Sequence, residues 1–301
     1  MRAAHRVILD TDIGSDVDDA MALSQLLGHP EVDLIGVTTV YGDTLLRARL
    51  ARRLGHLAGR EIPVHVGRTT PLSGREVWWA GHEGGLYEGL ERETVEATDA
   101  IDYLVEQVVA HPGEIDVIAI GPLTNIAAAI TADARFATAV RHLWIMGGAF
   151  TSQEPEHNFR SDTHAAEIVF ASGIPMTITG LEATRQVEIR RDELARIGAA
   201  GELGAILVAE IEQWWKFWNE EWNVPHDPVA VLTLIEPELF EFSPLGIVTV
   251  ERDGDAAGRS TFTAGDGSAR VVTGLDGSAV GARIVAAIER AGLGATTEAA
   301  R

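Results

Sequence analysis

The first half of the chain alternates between short apolar runs and longer amphipathic segments. Val32–Val40 is a β-branched run typical of a buried strand, and Asp18 to Leu27 has helical spacing that Gly28-His29-Pro30 ends. Further strands are predicted at Val7–Leu9, Ile115–Ile120, Leu143–Met146 and Pro175–Thr179, and further helices at Leu45–Leu57, Thr124–Ile130 and Ala165–Phe170. This alternation predicts an α/β fold, with an open, mostly parallel, Rossmann-like sheet and helices on both faces.

The last third of the chain has a different pattern. Glu202 to Trp222 is predicted to be one long helix, a second helix follows from about Asp227, and Val280–Arg290 is a closing helix. Short alternating runs at Ile247–Glu251, Ser260–Thr263 and Ala269–Thr273 predict a small antiparallel excursion. Because no linker or repeat interrupts the chain, we expect one domain over residues 1–301, with a frayed tail at 292–301.

A cluster of acids follows the first predicted strand. Its five carboxylates, within ten residues, are Asp10, Asp12, Asp16, Asp18 and Asp19. Ligands of open α/β sheets bind beyond the carboxyl ends of the strands, and carboxylates this close repel one another unless a hard cation, Ca²⁺ or Mg²⁺, lies between them. A plain helix cap would need only one acid. A helix–loop–helix calcium loop is excluded because Ser15 and Met21 occupy the positions of its Gly and Glu.

The charge balance of the chain narrows the classes of partner. Lys and Arg number 24 against 45 Asp and Glu, which gives a net charge of −21. A surface this acidic repels phosphate backbones, so no nucleic-acid partner is expected. The absence of cysteine excludes disulfides and thiolate metal sites. The sequence contains no apolar run long enough for a membrane helix, and its first residues lack the pattern of a secretory signal. We therefore expect a cytoplasmic protein without a membrane partner.

Five further segments join the acid cluster in a recognisable order. They are Tyr41-Gly42-Asp43, Gly81-His82-Glu83-Gly84, Ile120-Gly121-Pro122-Leu123-Thr124-Asn125, Met146-Gly147-Gly148 with Glu156-His157-Asn158, and Pro225-His226-Asp227-Pro228-Val229-Ala230. With this set, the chain resembles the inosine–uridine-preferring nucleoside hydrolase family from residue 6 to about residue 290. The resemblance implies calcium-dependent hydrolysis of ribonucleosides to ribose and free base, a role in purine or pyrimidine salvage, and a homodimer or homotetramer.

The resemblance also implies roles for individual residues. Asp12 would be the general base and a calcium ligand, and His226 would assist departure of the nucleobase. The calcium ligands would be Asp12, Asp19, the backbone carbonyl of Ile120, and Asp227. The substrate-binding residues would be Asp18, Asp16, Asp43, His82, Met146, Glu156 and Asn158, with Asp18, Glu156 and Asn158 on ribose and His82 at the base.

These roles agree with the chemistry of glycosidic cleavage. A carboxylate near a calcium ion takes the proton of water, and other carboxylates stabilise an oxocarbenium-like ribose.

The acid cluster is two residues longer than the commonest form in the family, so Asp16 and Asp18 remain alternatives for the ribose or metal role. Asp43 stands where most relatives carry Asn, and His157 where Phe is usual, which leaves the base preference open.

Two other functions would also use acids of this cluster. A Mg²⁺-dependent phosphatase would use Asp10 and Asp12, but such chemistry normally employs a lysine and Lys216 is the only one. A non-catalytic, calcium-dependent nucleoside- or sugar-binding protein would use the same residues without turnover.

The run Trp214-Trp215-Lys216-Phe217-Trp218, with Trp222, is expected to be mainly core or interface, although part of it could stack on a nucleobase.

Overall fold

A ten-stranded β-sheet is the framework of the protein, whose residues 5–152 and 154–298 are described by a computed structural model. The strands are β1 (His5–Thr11), β2 (Val32–Thr39), β3 (Val64–Val66), β4 (Ile115–Ala119), β5 (His142–Met146), β6 (Met176–Thr179), β7 (Phe240–Phe242), β8 (Gly246–Val250), β9 (Ser260–Ala264) and β10 (Ala269–Leu275). The helices are α1 (Asp18–Gly28), α2 (Thr44–Leu57), α3 (Ala100–Ala110), α4 (Thr124–Ala132), α5 (Arg135–Ala139), α6 (His157–Ser161), α7 (Thr163–Ala171), α8 (Leu181–Thr184), α9 (Arg191–Gly198), α10 (Gly201–Trp218), α11 (His226–Ile235) and α12 (Gly277–Glu298).

The order of the strands is β3-β2-β1-β4-β5-β6-β10-β8-β9, and β7 pairs with β10. The strands from β3 to β6 are parallel to their neighbours. The chain winds outward from β1 through β2 in one direction and from β4 through β6 in the other. A crevice therefore opens between the carboxyl ends of β1 and β4, which is where open α/β sheets bind ligands.

Alternating side chains of β1 supply both faces of the sheet. Val7 and Leu9 join the core beneath α1, α2, α11 and α12, while Ile8 joins a second core beneath α3, α4 and α7. Because both faces are covered, the inner strands are apolar throughout rather than alternating. The predicted parallel α/β sheet with helices on both faces is confirmed.

The C-terminal part confirms the antiparallel excursion and corrects its details. β8 and β9 are antiparallel to each other. β10 lies between β8 and β6, and because it pairs in parallel with β6 it extends the main sheet. The predicted helix to Trp222 ends at Trp218, because Asn219 adopts a left-handed conformation with φ of 56°. The closing helix continues through residues 292–298, part of the segment expected to fray, and residues 299–301 lie outside those described.

Several elements were not predicted. These are β3, β7, α3, α5, α6, α8 and α9. Most are short, and α3 follows a long irregular segment that offers no periodic pattern leading into it. Within the described residues, no helix has both the length and the apolar character needed to cross a bilayer.

Candidate active site

The acidic loop between β1 and α1 lies at the crevice that the sheet order creates. Asp12 follows β1 directly, and Ile120 follows the neighbouring strand β4. The Ile120 backbone N–H donates to the Asp10 carbonyl oxygen over 2.9 Å, which holds the two strand ends together. Asp12 and Ile120 both line a cavity of about 510 Å³, within the size range of ligand pockets.

Three buried carboxylates meet in this cavity. One carboxylate oxygen from each of Asp18, Asp19 and Asp227 lies within 4.8 Å of the other two. The structure thus brings the predicted ligands Asp19 and Asp227 together with Asp18, while Asp12 and Ile120 line the same cavity. The backbone N–H of Asp227 also donates to Asp18 Oδ2, over 3.4 Å.

Burial and mutual repulsion dominate the electrostatics of this group. Burial, followed by the charges of neighbouring aspartates, raises the pKa values of Asp18, Asp19 and Asp227 well above their usual range. Burial also raises the pKa of Asp12, against a lowering influence of the Arg47 charge. An all-oxygen set of carboxylates that oppose one another's ionisation fits a hard divalent cation, which would offset the repulsion.

Asp16 and Asp18, the two alternatives left open by the sequence, occupy different positions. Asp16 Oδ1 accepts the backbone N–H of Val17 over 2.6 Å and that of Asp18 over 3.4 Å, so its side chain is held in the turn that leads into α1. Burial is the main cause that raises the pKa of Asp16 to about 7. Asp16 lines the cavity, but Asp18 is the member of the close carboxylate group.

Asp10 is separated from the cavity. Its side chain is fully buried, accepts Thr38 Oγ1 over 2.5 Å and Asn125 Nδ2 over 2.7 Å, and is absent from the described residues that line the cavity. Burial raises the pKa of Asp10 to about 7. A carboxylate so placed cannot attack a phosphorus atom in the cavity, which argues against the phosphatase alternative.

Arg47 is a part of the site that the sequence interpretation missed. It is fully buried on α2 and donates to the backbone carbonyl oxygens of Tyr41 (2.6 Å), Ile13 (2.8 Å) and Asp12. Its guanidinium carbon lies 4.8 Å from the centre of the Trp79 ring. The buried Arg47 side chain thus holds the backbone of the acidic loop through the carbonyl oxygens of Asp12 and Ile13. No local pattern marks Arg47, because α2 carries other arginines that reach the surface.

Two predicted substrate-binding residues lie outside the cavity lining. Asp43 is exposed and caps α2, accepting the backbone N–H of Leu46 over 3.0 Å. His82 Nε2 lies 2.8 Å from the carbonyl oxygen of Ser15, and its ring packs edge-on against that of Trp214 with centroids 6.2 Å apart. His82 therefore links the acidic loop to the aromatic rim, whereas Asp43 is not brought to the site.

Glu156 and Asn158 form an ordered, buried pair in the cavity wall. Glu156 caps α6 and accepts the backbone N–H groups of Gly148 (3.0 Å), Asn158 (2.7 Å) and Phe159 (3.0 Å). Burial nevertheless raises the pKa of Glu156. Asn158 Nδ2 donates to the carbonyl oxygens of Ile120 (2.8 Å) and Met146 (3.2 Å). The predicted residues Met146, Glu156 and Asn158 therefore line the cavity together, next to His157.

His226 begins α11 and lines the cavity beside Asp227. Its Nδ1 atom lies 2.7 Å from Thr184 Oγ1, which fixes the ring. Burial, and to a smaller extent the Arg185 charge, lower the pKa of His226 to about 4. The imidazole is therefore neutral near pH 7 and can offer a hydrogen bond rather than a stored proton.

An aromatic rim encloses the other part of the cavity. It consists of Trp78, Trp214 and Trp218. Within the tryptophan-rich segment only Trp215 is buried in the core, where its Nε1 donates to Asn223 Oδ1 over 2.9 Å. The expectation of burial is therefore wrong for Trp218, which is exposed, whereas Trp214 is half-buried and packs against the core while it also lines the cavity. Trp222 lies in the loop after α10 and lines an adjoining pocket.

Comparisons with known proteins agree with this geometry. A sequence profile of the family described as "Inosine-uridine preferring nucleoside hydrolase" matches residues 7–282. Uridine nucleosidase 1 of Arabidopsis thaliana is 32% identical over 280 residues, covering 86% of this chain and 82% of the relative. Among solved structures, a plant nucleoside hydrolase (the PpNRh1 enzyme) has a TM-score of 0.85 at 31% identity, covering 95% of this chain and 99% of the other. A purine-preferring ribonucleoside hydrolase from Gardnerella vaginalis also has a TM-score of 0.85, at 25% identity, covering 96% and 99%.

Proposed function

Because this chain belongs to the inosine-uridine preferring nucleoside hydrolase family and is thus an N-glycosidic hydrolase, we propose that it is calcium-dependent and cleaves ribonucleosides through Asp12. The observation that carries the proposal is the group of buried carboxylates, Asp18, Asp19 and Asp227, in the cavity that Asp12 and His226 also line.

The ion would be held by oxygen atoms only. Asp12, Asp19, Asp227 and the Ile120 carbonyl oxygen are the proposed ligands, and their burial beside one another supports the assignment. An all-oxygen set with several carboxylates suits Ca²⁺, which tolerates irregular coordination better than Mg²⁺. When bound, the ion supplies positive charge that acidifies the attacking water and holds the ribose diol.

Asp12 is the proposed proton acceptor. Its carboxylate lines the same cavity as Asp18, Asp19 and Asp227, where it would accept the proton of the attacking water. The buried cation Arg47 holds the Asp12 backbone, so the carboxylate starts from a fixed position. As the C1′–N bond breaks, positive charge develops on the ribose ring, and the surrounding carboxylates stabilise it.

Ribose would be positioned by residues at the starts of α1 and α6. Asp18 lies within 4.8 Å of the proposed ligands Asp19 and Asp227, close enough to accept a ribose hydroxyl next to the ion. Glu156 and Asn158 line the same cavity, and both are held by backbone hydrogen bonds before any substrate arrives. Prior ordering of these groups reduces the entropy lost on binding.

The nucleobase would occupy the part of the cavity that Trp78, Trp214 and Trp218 enclose. Aromatic rings stack on any base, so this rim supports affinity for nucleosides without selecting one base. His226 would donate a hydrogen bond from its neutral ring to the departing base. Uridine is the first substrate to test, because the Arabidopsis thaliana relative is a uridine nucleosidase.

The test is ribose release from uridine, inosine, cytidine, adenosine and guanosine, after calcium removal by a chelator and again after calcium is restored. We expect release only with calcium, a loss of roughly 10³-fold or more in Asp12→Ala, and full activity in Asp255→Asn, an exposed acid outside the cavity. Activity that survives the chelator would refute calcium dependence. Saturable nucleoside binding without ribose release would instead identify a binding protein.

A further inference from the structure

One arginine faces a cavity whose other charged side chains are carboxylates. Among the described residues that line it, Arg185 is the only arginine or lysine. The guanidinium group of an arginine is a planar cation with five N–H donors. A permanent cation beside so many acids requires an explanation, because the proposed metal site and base Asp12 do not use it.

Arg185 lies on the wall of the cavity that also carries His226. It is the residue directly after α8, and the preceding residue, Thr184, contacts His226 Nδ1 at 2.7 Å. Leu181, one turn earlier on α8, lines the same cavity. Since α8 packs on α11, which begins at His226, Arg185 and His226 are held on one wall.

Glu154 orients the guanidinium without covering it. Glu154 Oε1 lies 2.5 Å from Arg185 Nη1, and the two side chains are 40% and 52% exposed. The ion pair engages one nitrogen of the guanidinium, and the half-exposed Arg185 side chain leaves its other N–H groups accessible. His226 has less to offer, because its Nδ1 atom is already engaged by Thr184 and only Nε2 is left to meet a base.

We propose that Arg185 stabilises the departing nucleobase by donating hydrogen bonds to it, an inference that rests on the proposed nucleoside hydrolysis. The C1′–N bond breaks with its electron pair on the base, and water forms the new C1′–O bond while one of its protons passes to Asp12. The base leaves as an anion beside the guanidinium. It then takes a proton from solvent water, and Asp12 returns its own to solvent, so Arg185 loses no proton.

The experiment compares two leaving groups in the calcium-loaded protein. One substrate is the nucleoside that the unmodified protein cleaves best, and the other is 4-nitrophenyl β-D-ribofuranoside, whose nitrophenolate leaves without assistance. Arg185→Gln should lower kcat/KM for the nucleoside about 100-fold but lower it for the nitrophenyl riboside no more than about threefold. Arg185→Lys keeps the charge but loses the paired N–H donors of the guanidinium. Its kcat/KM for the nucleoside should therefore lie between those of Arg185→Gln and the unmodified protein. Arg196→Gln, which breaks a surface pair with Glu289, is the matched control without effect.

An equal loss on both substrates in Arg185→Gln and Arg185→Lys would overturn the inference, because a structural role does not distinguish leaving groups. Unchanged cleavage of the nucleoside would overturn it as well. Melting temperatures close to that of the unmodified protein would verify that the variants are folded. Failure of the unmodified protein to cleave any nucleoside is a different result, which would overturn the proposed function and this inference with it.

Discussion

Asp18 accepts a hydrogen bond, over 3.4 Å, from the backbone N–H of Asp227, a residue 209 positions further along the chain. This contact joins the start of α1 to the start of α11, so the two helix N-termini meet at the carboxylate group. Positive helix ends favour negative charge nearby, which partly offsets the burial of these acids. The remaining repulsion appears as the raised pKa values of Asp18, Asp19 and Asp227.

Asp227→Asn should therefore stabilise the protein without calcium while weakening calcium binding. Replacing one of several repelling, buried acids by its neutral isostere should raise the melting temperature in chelator, with a gain of about 1–2 kcal/mol in the free energy of unfolding. Thermal denaturation with and without calcium, together with calorimetric titration, measures both effects. Asp255→Asn is the control. A lower melting temperature of Asp227→Asn in chelator would contradict the repulsion argument.

Arg47 positions the acidic loop, and replacing it should impair both folding and calcium binding. Arg47→Met leaves the carbonyl oxygens of Asp12, Ile13 and Tyr41 without this donor, at a cost of about 3 kcal/mol or more. Calcium affinity should fall about tenfold even though a positive charge has been removed, because loop geometry outweighs the weaker repulsion of the ion. Urea denaturation and calorimetric titration measure these quantities. Tighter calcium binding in Arg47→Met would mean that charge, not positioning, dominates.

The pH dependence of stability should reveal Glu210, an acid on α10 away from the carboxylate group. Burial raises the pKa of Glu210 to about 7, and the Tyr87 hydroxyl lowers it only in part. Because the pKa of Glu210 is higher in the folded protein than in the unfolded chain, protonation of Glu210 stabilises the folded state. This stabilisation is fully present below the ordinary carboxyl pKa. It is lost as the pH rises through about 7.

Glu210→Gln, which stays neutral, tests this assignment. In saturating calcium, the variant should be more stable than the unmodified protein at pH 8, by roughly 1–2 kcal/mol, and should differ little at pH 5. Thermal denaturation at the two pH values is sufficient. Exposed Glu238→Gln is a matched control. An identical pH dependence in Glu210→Gln and the unmodified protein would remove Glu210 as the source.

The acidic loop and the sheet could be predicted because their signals are local. An apolar strand, five acids and a helical period follow one another within residues 7–27, and the strand order then brings Ile120 alongside. Arg47 and Arg185 gave no such signal. Their roles depend on which way a helix turns its side chains, and on neighbours such as Asp12 and Glu154 that are distant in sequence. Asp43, a motif position predicted to bind substrate, is instead exposed and caps α2 in this structure.

Trp215 and Trp218 are three positions apart on α10 and should respond oppositely to substitution. Trp218 lines the cavity and is 57% exposed, whereas Trp215 is 3% exposed and packed in the core. Trp218→Ala should raise KM for a nucleoside about tenfold through lost stacking, while the free energy of unfolding changes by about 0.5 kcal/mol or less. Trp215→Ala should cost about 3–5 kcal/mol of stability. Steady-state kinetics and urea denaturation on both variants decide the matter. A large loss of stability in Trp218→Ala with KM unchanged would show that Trp218 belongs to the core and that the nucleobase lies elsewhere in the cavity.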